Sequence, residues 1–163
     1  MDLGTVEQRD GKQVIRFERH LRHPIERVWE ALTDPDELIG WWGRVERELR
    51  VGGAFTVTWL NTRDHEGNEI PEPFTMDATI TALQPPTLLE MDSEEHGVLR
   101  FDLVGTHDGT FLRFSATGDV PEEFRLPALA GWHMHLDALA TVLDGGSVDL
   151  VEIPQWDEIR ARY

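Results

Sequence analysis

Residues Leu126 to Asp144 read LPALAGWHMHLDALATVLD, and this stretch decides the fold. On a helix, Leu129, Trp132, Leu136, Leu139, Ala140 and Leu143 recur at spacings of three and four, forming one apolar stripe. Met134, Asp137, Thr141 and Asp144 point the other way. Pro127 suits a first helical turn, where its missing N–H has no partner to lose, and Gly145-Gly146 supplies the left-handed residue that ends a helix. About five turns of helix with one apolar face need a broad surface to lie on. Most of the chain from Arg44 to Gly118 reads as strand, so the economical arrangement is one curved sheet wrapped along this helix.

The strands are legible as alternation. Gln13 to Leu21 sets Ile15, Phe17 and Leu21 on one side, with Arg16, Glu18 and His20 on the other. Pro24 opens a helix with Ile25, Val28, Trp29 and Leu32 at helical spacing, and Asp34-Pro35 closes it, because the residue before proline avoids the helical region. A second short helix runs from Pro35 to about Gly40 and ends in Trp41-Trp42-Gly43. One of these tryptophans is expected as a core anchor and the other as a lid, since neighbours on a helix diverge by about 100°. Val45 to Val51 and Ala54 to Leu60 are predicted strands joined at Gly52-Gly53. Asn61 to Pro73 is polar and rich in turn formers, hence an exposed loop. Phe74 to Leu83, Thr87 to Met91, Val98 to Val104 and Thr110 to Thr117 follow as antiparallel neighbours. After the long helix, Pro154, Trp156, Ile159 and Tyr163 suggest a short helix in the tail.

Composition narrows the function. The 163 residues are 40% hydrophobic and 28% charged, ordinary for a globular chain, and fit one domain spanning 1–163, with a core at 12–146 and a tail at 147–163. No apolar run approaches the roughly 20 residues that span a bilayer, and the N-terminus lacks the apolar centre of a signal peptide. A cytoplasmic protein without membrane insertion is expected. With no cysteine, disulfides, thiol nucleophiles and thiolate metal sites are excluded. A formal charge of −16, with 31 acidic against 15 basic residues and no basic cluster, repels nucleic acid. A homodimer is compatible with the sequence.

The order of strand, two short helices, six or so antiparallel strands and a long C-terminal helix, a sheet of about six or seven strands in all, resembles the helix-grip fold, an α+β architecture shared by the START and polyketide-cyclase (SRPBCC) superfamily. FERHLRHPIERVWEALTDPDELIGWWG, from Phe17 to Gly43, is similar to the opening signature of the Aha-type family, named for the activator of the heat-shock protein 90 ATPase. GWHMHLDALATVLDG, from Gly131 to Gly145, is similar to its closing one, and the final WDEIRARY fits the same family. The co-chaperone that names the family has a separate N-terminal domain, which is not expected in this chain. The wider superfamily holds lipid carriers, hormone receptors and aromatic cyclases, so function must be argued from the site.

The candidate site is an apolar, aromatic-rich concavity made by Trp42, Phe55, Val57, Trp59, Phe74, Met76, Phe101, Phe114, Trp132, His133 and Leu136. Such residues usually fill a core, but a strongly bent sheet closed by one helix tends to leave a gap. His133 is the one candidate catalytic residue, a general base if it faces the gap; the commoner role for a lone boundary histidine is a hydrogen bond to a carbonyl or water. His133 and His135 point about 200° apart on a helix and cannot share a metal ion. The loop Asp64-His65-Glu66-Gly67-Asn68-Glu69 is rich in oxygen ligands yet fails the EF-hand spacing, with glycine fourth and Thr75 at position twelve. Neither a metal nor a cofactor is expected. Three functions remain: a binder of a hydrophobic or aromatic small molecule, a chaperone partner, and a cyclase-like enzyme using His133.

Overall fold

A computed structural model describes residues 3–64, 66–119, 121–151, 158–159 and 161–163. Eight antiparallel strands form one sheet: β1 (Thr5–Arg9), β2 (Lys12–Leu21), β3 (Arg44–Arg47), β4 (Ala54–Thr58), β5 (Thr75–Gln84), β6 (Leu88–Ser93), β7 (Gly97–Thr106) and β8 (Gly109–Gly118), in the order β1-β2-β8-β7-β6-β5-β4-β3. Between β2 and β3 lie α1 (Ile25–Thr33) and α2 (Pro35–Leu38), and after β8 the chain runs into α3 (Arg125–Leu143). This is the helix-grip arrangement. No helix among the described residues is long and apolar enough to cross a membrane.

Residues of one parity along each strand turn to the core. Phe17, Met76, Ile80, Leu89, Leu99, Phe101, Leu112 and Phe114 are all buried. A bulge between Ile80 and Ala82 breaks the register against β6 and bends β5. On the outer face, Arg100 sits opposite Glu90 and binds both Glu90 and Asp102, the cross-strand charge pattern expected of a solvated surface. β1 was not legible in the sequence. It is an exposed edge strand, with Thr5, Glu7, Gln8 and Arg9 open to solvent, and so lacks a burial pattern.

The helix α3 lies against the sheet through Trp132, Leu136, Leu139 and Leu143, as its stripe requires. Its end is a Schellman motif: Gly145, at φ +85°, donates to the Val142 carbonyl, and Gly146 donates to the Thr141 carbonyl. The opposite face of α3 departs from expectation. Met134 is buried instead of solvent-facing, because Ile159 from the tail packs on it and on Ala130. Pro154 and Trp156 of the predicted tail helix, and His65 of the loop, lie outside the described residues.

Trp41 and Trp42 also depart from the anchor-and-lid expectation. Both are buried, with ring centroids 5.5 Å apart and planes 29° from parallel. They follow the last turn of α2, where the amides of Trp41, Trp42 and Gly43 all donate to the Leu38 carbonyl. This tight knot folds both indoles beneath the helices, and Trp41 Nε1–H donates to the Ala31 carbonyl at 2.8 Å.

Candidate ligand cavity

The concavity is divided. Around Trp42 it is solid: the Trp42 ring lies 5.6 Å from Phe55, 6.0 Å from Phe101 and 5.4 Å from Trp132, and Phe114 lies 4.3 Å from Trp132. Under the N-terminal half of α3 it is open. A cavity of about 780 Å³ is bounded by Ile15 and Ala116 on the sheet, by Ala128, Gly131, Trp132 and His135 on the helix, and by the segment from Trp59 to Phe74 on the third side. Ile15 and Ala116 face each other in register across β2 and β8. Only the short side chain of Ala116 keeps that part of the floor low. Among the described residues, Phe74, Phe124 and Val151 form an exposed apolar rim, at 48%, 46% and 42% exposure.

Of the residues expected from sequence to form the site, Trp59, Phe74 and Trp132 line the cavity. Trp42, Phe55, Val57, Met76, Phe101, Phe114 and Leu136 are buried in the solid half and do not reach it. Trp132 is the partition: one side packs on Phe114 and Trp42, the other faces the opening. Phe74 lies just before β5, so it sits at the mouth and not on the inner face of a strand.

His133 does not line the cavity, because α3 turns it toward the chain termini. It is fully buried, with Nδ1 2.8 Å from the Tyr163 hydroxyl and Nε2 3.3 Å from Asp137. Tyr163 also accepts the Gly4 amide N–H at 2.9 Å, and Arg19 reaches Asp137 at 3.5 Å. The network therefore ties both ends of the chain to α3. Burial pushes the His133 imidazole down and the Asp137 carboxyl up, each partly offset by the attraction of the other.

Two histidines outside the expected set do line the cavity. His135 is on the same helical face as Trp132, three residues before it, which was the available signal. Its Nδ1–H donates to the Trp41 carbonyl at 2.8 Å, and its Nε2 accepts the Trp59 indole N–H at 3.0 Å. Both nitrogens are committed to a neutral ring, and burial lowers its pKa to about 4. His96 stacks on Trp59 with centroids 5.3 Å apart and planes 17° from parallel. It sits in the tight β6–β7 turn, where its amide donates to Ser93 Oγ and the next residue, Gly97, holds φ +72°. A Cβ on Gly97 would collide with the Thr117 carbonyl, so glycine lets the turn close against β8. Burial lowers the His96 pKa, and its Nδ1 is buried without a partner. Nothing in the sequence marks His96, whose place depends on pairing between distant strands.

Both ring nitrogens of His135 are engaged, whereas Nδ1 of His96, which also lines the cavity, has no partner among the described residues. The carboxylates of Glu30, Asp34 and Glu37 approach within 4.8 Å of one another at the α1–α2 junction, outside the cavity. Arg27 already pairs with that group, with Nη1 2.6 Å from Glu37 and 3.9 Å from Glu30, and Asp34 caps the Asp36 amide. Asp64 likewise spends a carboxylate oxygen on the amides of Glu66 and Asn68, so its loop is a self-bonded turn.

The model of the family described as activator of Hsp90 ATPase homolog 1-like protein matches residues 22–144, from the end of β2 through α3. The chain belongs to this family. The activator-like match spans α1, α2, strands β3 to β8 and the cavity-bearing helix α3. No curated protein matches the sequence. Among solved structures, a conserved protein of unknown function from Enterococcus faecalis is 24% identical with a TM-score of 0.75, covering 98% of this chain and 87% of that one. A Bordetella parapertussis protein is 26% identical at a TM-score of 0.69, covering 92% and 84%. CalU16 from Micromonospora echinospora is 24% identical at 0.66, covering 93% and 82%. These likenesses show a shared fold.

Proposed function

We propose that this protein binds a hydrophobic or aromatic small molecule in the cavity between the sheet and α3, without covalent catalysis. The observation that carries the reading is the 780 Å³ opening walled by Trp59 and Trp132. Its size falls within the roughly 300–1,000 Å³ of ordinary ligand sites, and its lining combines aromatic faces with a few polar groups, as such sites do. The exposed rim of Phe74, Phe124 and Val151 supports an entrance for an apolar guest. Neutral His135, bonded to Trp59 and to the Trp41 carbonyl, holds Trp59 and α3 in one arrangement, which supports a pre-formed cavity.

The test is titration of the purified protein with an environment-sensitive naphthalene dye, beside Ala116→Leu and Ala128→Leu variants. Both alanines line the cavity, one on the sheet and one on the helix, whereas Ala140 does not. Each leucine should lower dye affinity while leaving the thermal midpoint close to the parent's, because a void accepts methylenes that a close-packed core resists at about 1–3 kcal/mol. A parent protein that does not bind dye, with both variants destabilised, would refute the reading.

A further inference from the structure

We propose that the ligand of this cavity is an organic cation: a protonated amine whose ammonium head sits between Gln13 and Asp119 and whose apolar body lies along Ile15, Ala116 and Trp132. The proposal rests on the binding reading above and adds its chemical class. Beside the large cavity lies a recess of about 310 Å³ lined by Gln8, Gly11, Gln13, Gly118, Asp119 and Pro121. Asp119 and Pro121 border both spaces. The register explains the adjacency. Ile15 pairs with Ala116 in the cavity floor, and two residues further along the same face Gln13 pairs with Gly118 at the floor of the recess.

Gln13 carries the inference. It is only 7% exposed, and its Oε1 is buried with no hydrogen-bond partner among the described residues. Buried acceptors are nearly always paired, so an orphaned carbonyl on a residue that lines a recess points to a missing donor, which a small side-chain turn would admit. Asp119 lines the same recess, and among the described residues no lysine, arginine or histidine does. Two acceptors, one of them ionised, suit a group that only donates and carries positive charge, which describes an alkylammonium.

The larger space agrees in sign. Among the described residues its lining holds the carboxylates of Asp64, Glu66, Glu95 and Asp119 against the guanidinium of Arg63, whose Nη1 already donates to the Gly67 carbonyl at 3.1 Å. A carboxylic acid guest would meet repulsion here and leave Gln13 unsatisfied. The electron-rich faces of Trp59 and Trp132 tolerate a passing cation and pack against its aryl body.

Calorimetry on the full chain with three probes of one shape tests this: 2-(1-naphthyl)ethylamine, 2-(1-naphthyl)ethanol and 1-naphthaleneacetate. The amine should bind ~10-fold tighter than the alcohol, the factor expected when one charge-assisted hydrogen bond is gained, and the acetate weakest of all. In Asp119→Asn, whose side chain is exposed and whose fold should survive, the advantage of the amine over the alcohol should shrink to within about two-fold. Gln13→Leu, with its thermal midpoint recorded, should do the same. Equal affinity for amine and alcohol would overturn the cation while leaving a binding cavity. An amine preference unchanged by Asp119→Asn would overturn the placement of the head. Failure of all three probes together with failure of the dye would remove the cavity reading itself.

Discussion

The indole N–H of Trp59 donates to Nε2 of His135 across 3.0 Å, and this contact joins the base of the long loop to the middle of α3. With Nδ1–H given to the Trp41 carbonyl, the imidazole is held neutral by two partners and by complete burial. Protonation would put a charge in the core and turn Nε2 from acceptor to donor against another donor.

Stability should therefore fall with acidification. The folded pKa is about 4 and the unfolded one ordinary. Above pH 6.5 neither state takes the proton. Between pH 6.5 and 4 the unfolded chain takes it and the folded one does not, so about 3 kcal/mol is lost across that window, and the loss levels off below it. NMR titration of the imidazole should show His135 neutral down to about pH 4, and urea midpoints of His135→Gln should fall less steeply over the same range. Titration of His135 near 6.5 would contradict this account.

Leu136 is 1% exposed on the face of α3 that meets the sheet. Leu136→Ala should cost about 2–5 kcal/mol, since the surrounding aromatic rings can close only part of the space left behind. Urea denaturation measures it, and an unchanged midpoint would mean that the site collapses freely.

Tyr163→Phe removes the hydroxyl that links the Gly4 amide to His133 Nδ1. Because the tyrosine is only partly buried, the expected loss is about 0.5–1.5 kcal/mol. A double-mutant cycle with His133→Ala should show a coupling of at least ~0.5 kcal/mol. Strict additivity would show that the latch is a contact without consequence.

The charge of −16 predicts no binding of duplex DNA at physiological salt, read by fluorescence anisotropy with a labelled duplex. A micromolar dissociation constant would require a basic surface that the sequence does not contain.

The sequence by itself determined the architecture, because periodicity is local information. The stripe of α3, the alternation of β5 and the Asp34-Pro35 stop each depend on residues within one element, and the observed helix and strands fall within a few residues of where those patterns end. Strand β1 escaped, since an edge strand with both faces wet carries no pattern. The site was legible only at Trp59, Phe74 and Trp132. Alternation tells which residues face inward, but not whether the inward space is filled. Tertiary packing decided that: the knot at Leu38 drives Trp41 and Trp42 into one half of the concavity, making core of Phe55, Phe101 and Phe114, and leaves the other half open. It also decided between the histidines. His133 and His135 are equally polar letters two places apart, yet the termini claim one through Tyr163, and Trp59 claims the other at the cavity wall. Gln13 and His96 became neighbours of the opening only when β2 and β7 each paired with β8, over sequence distances that no local pattern spans.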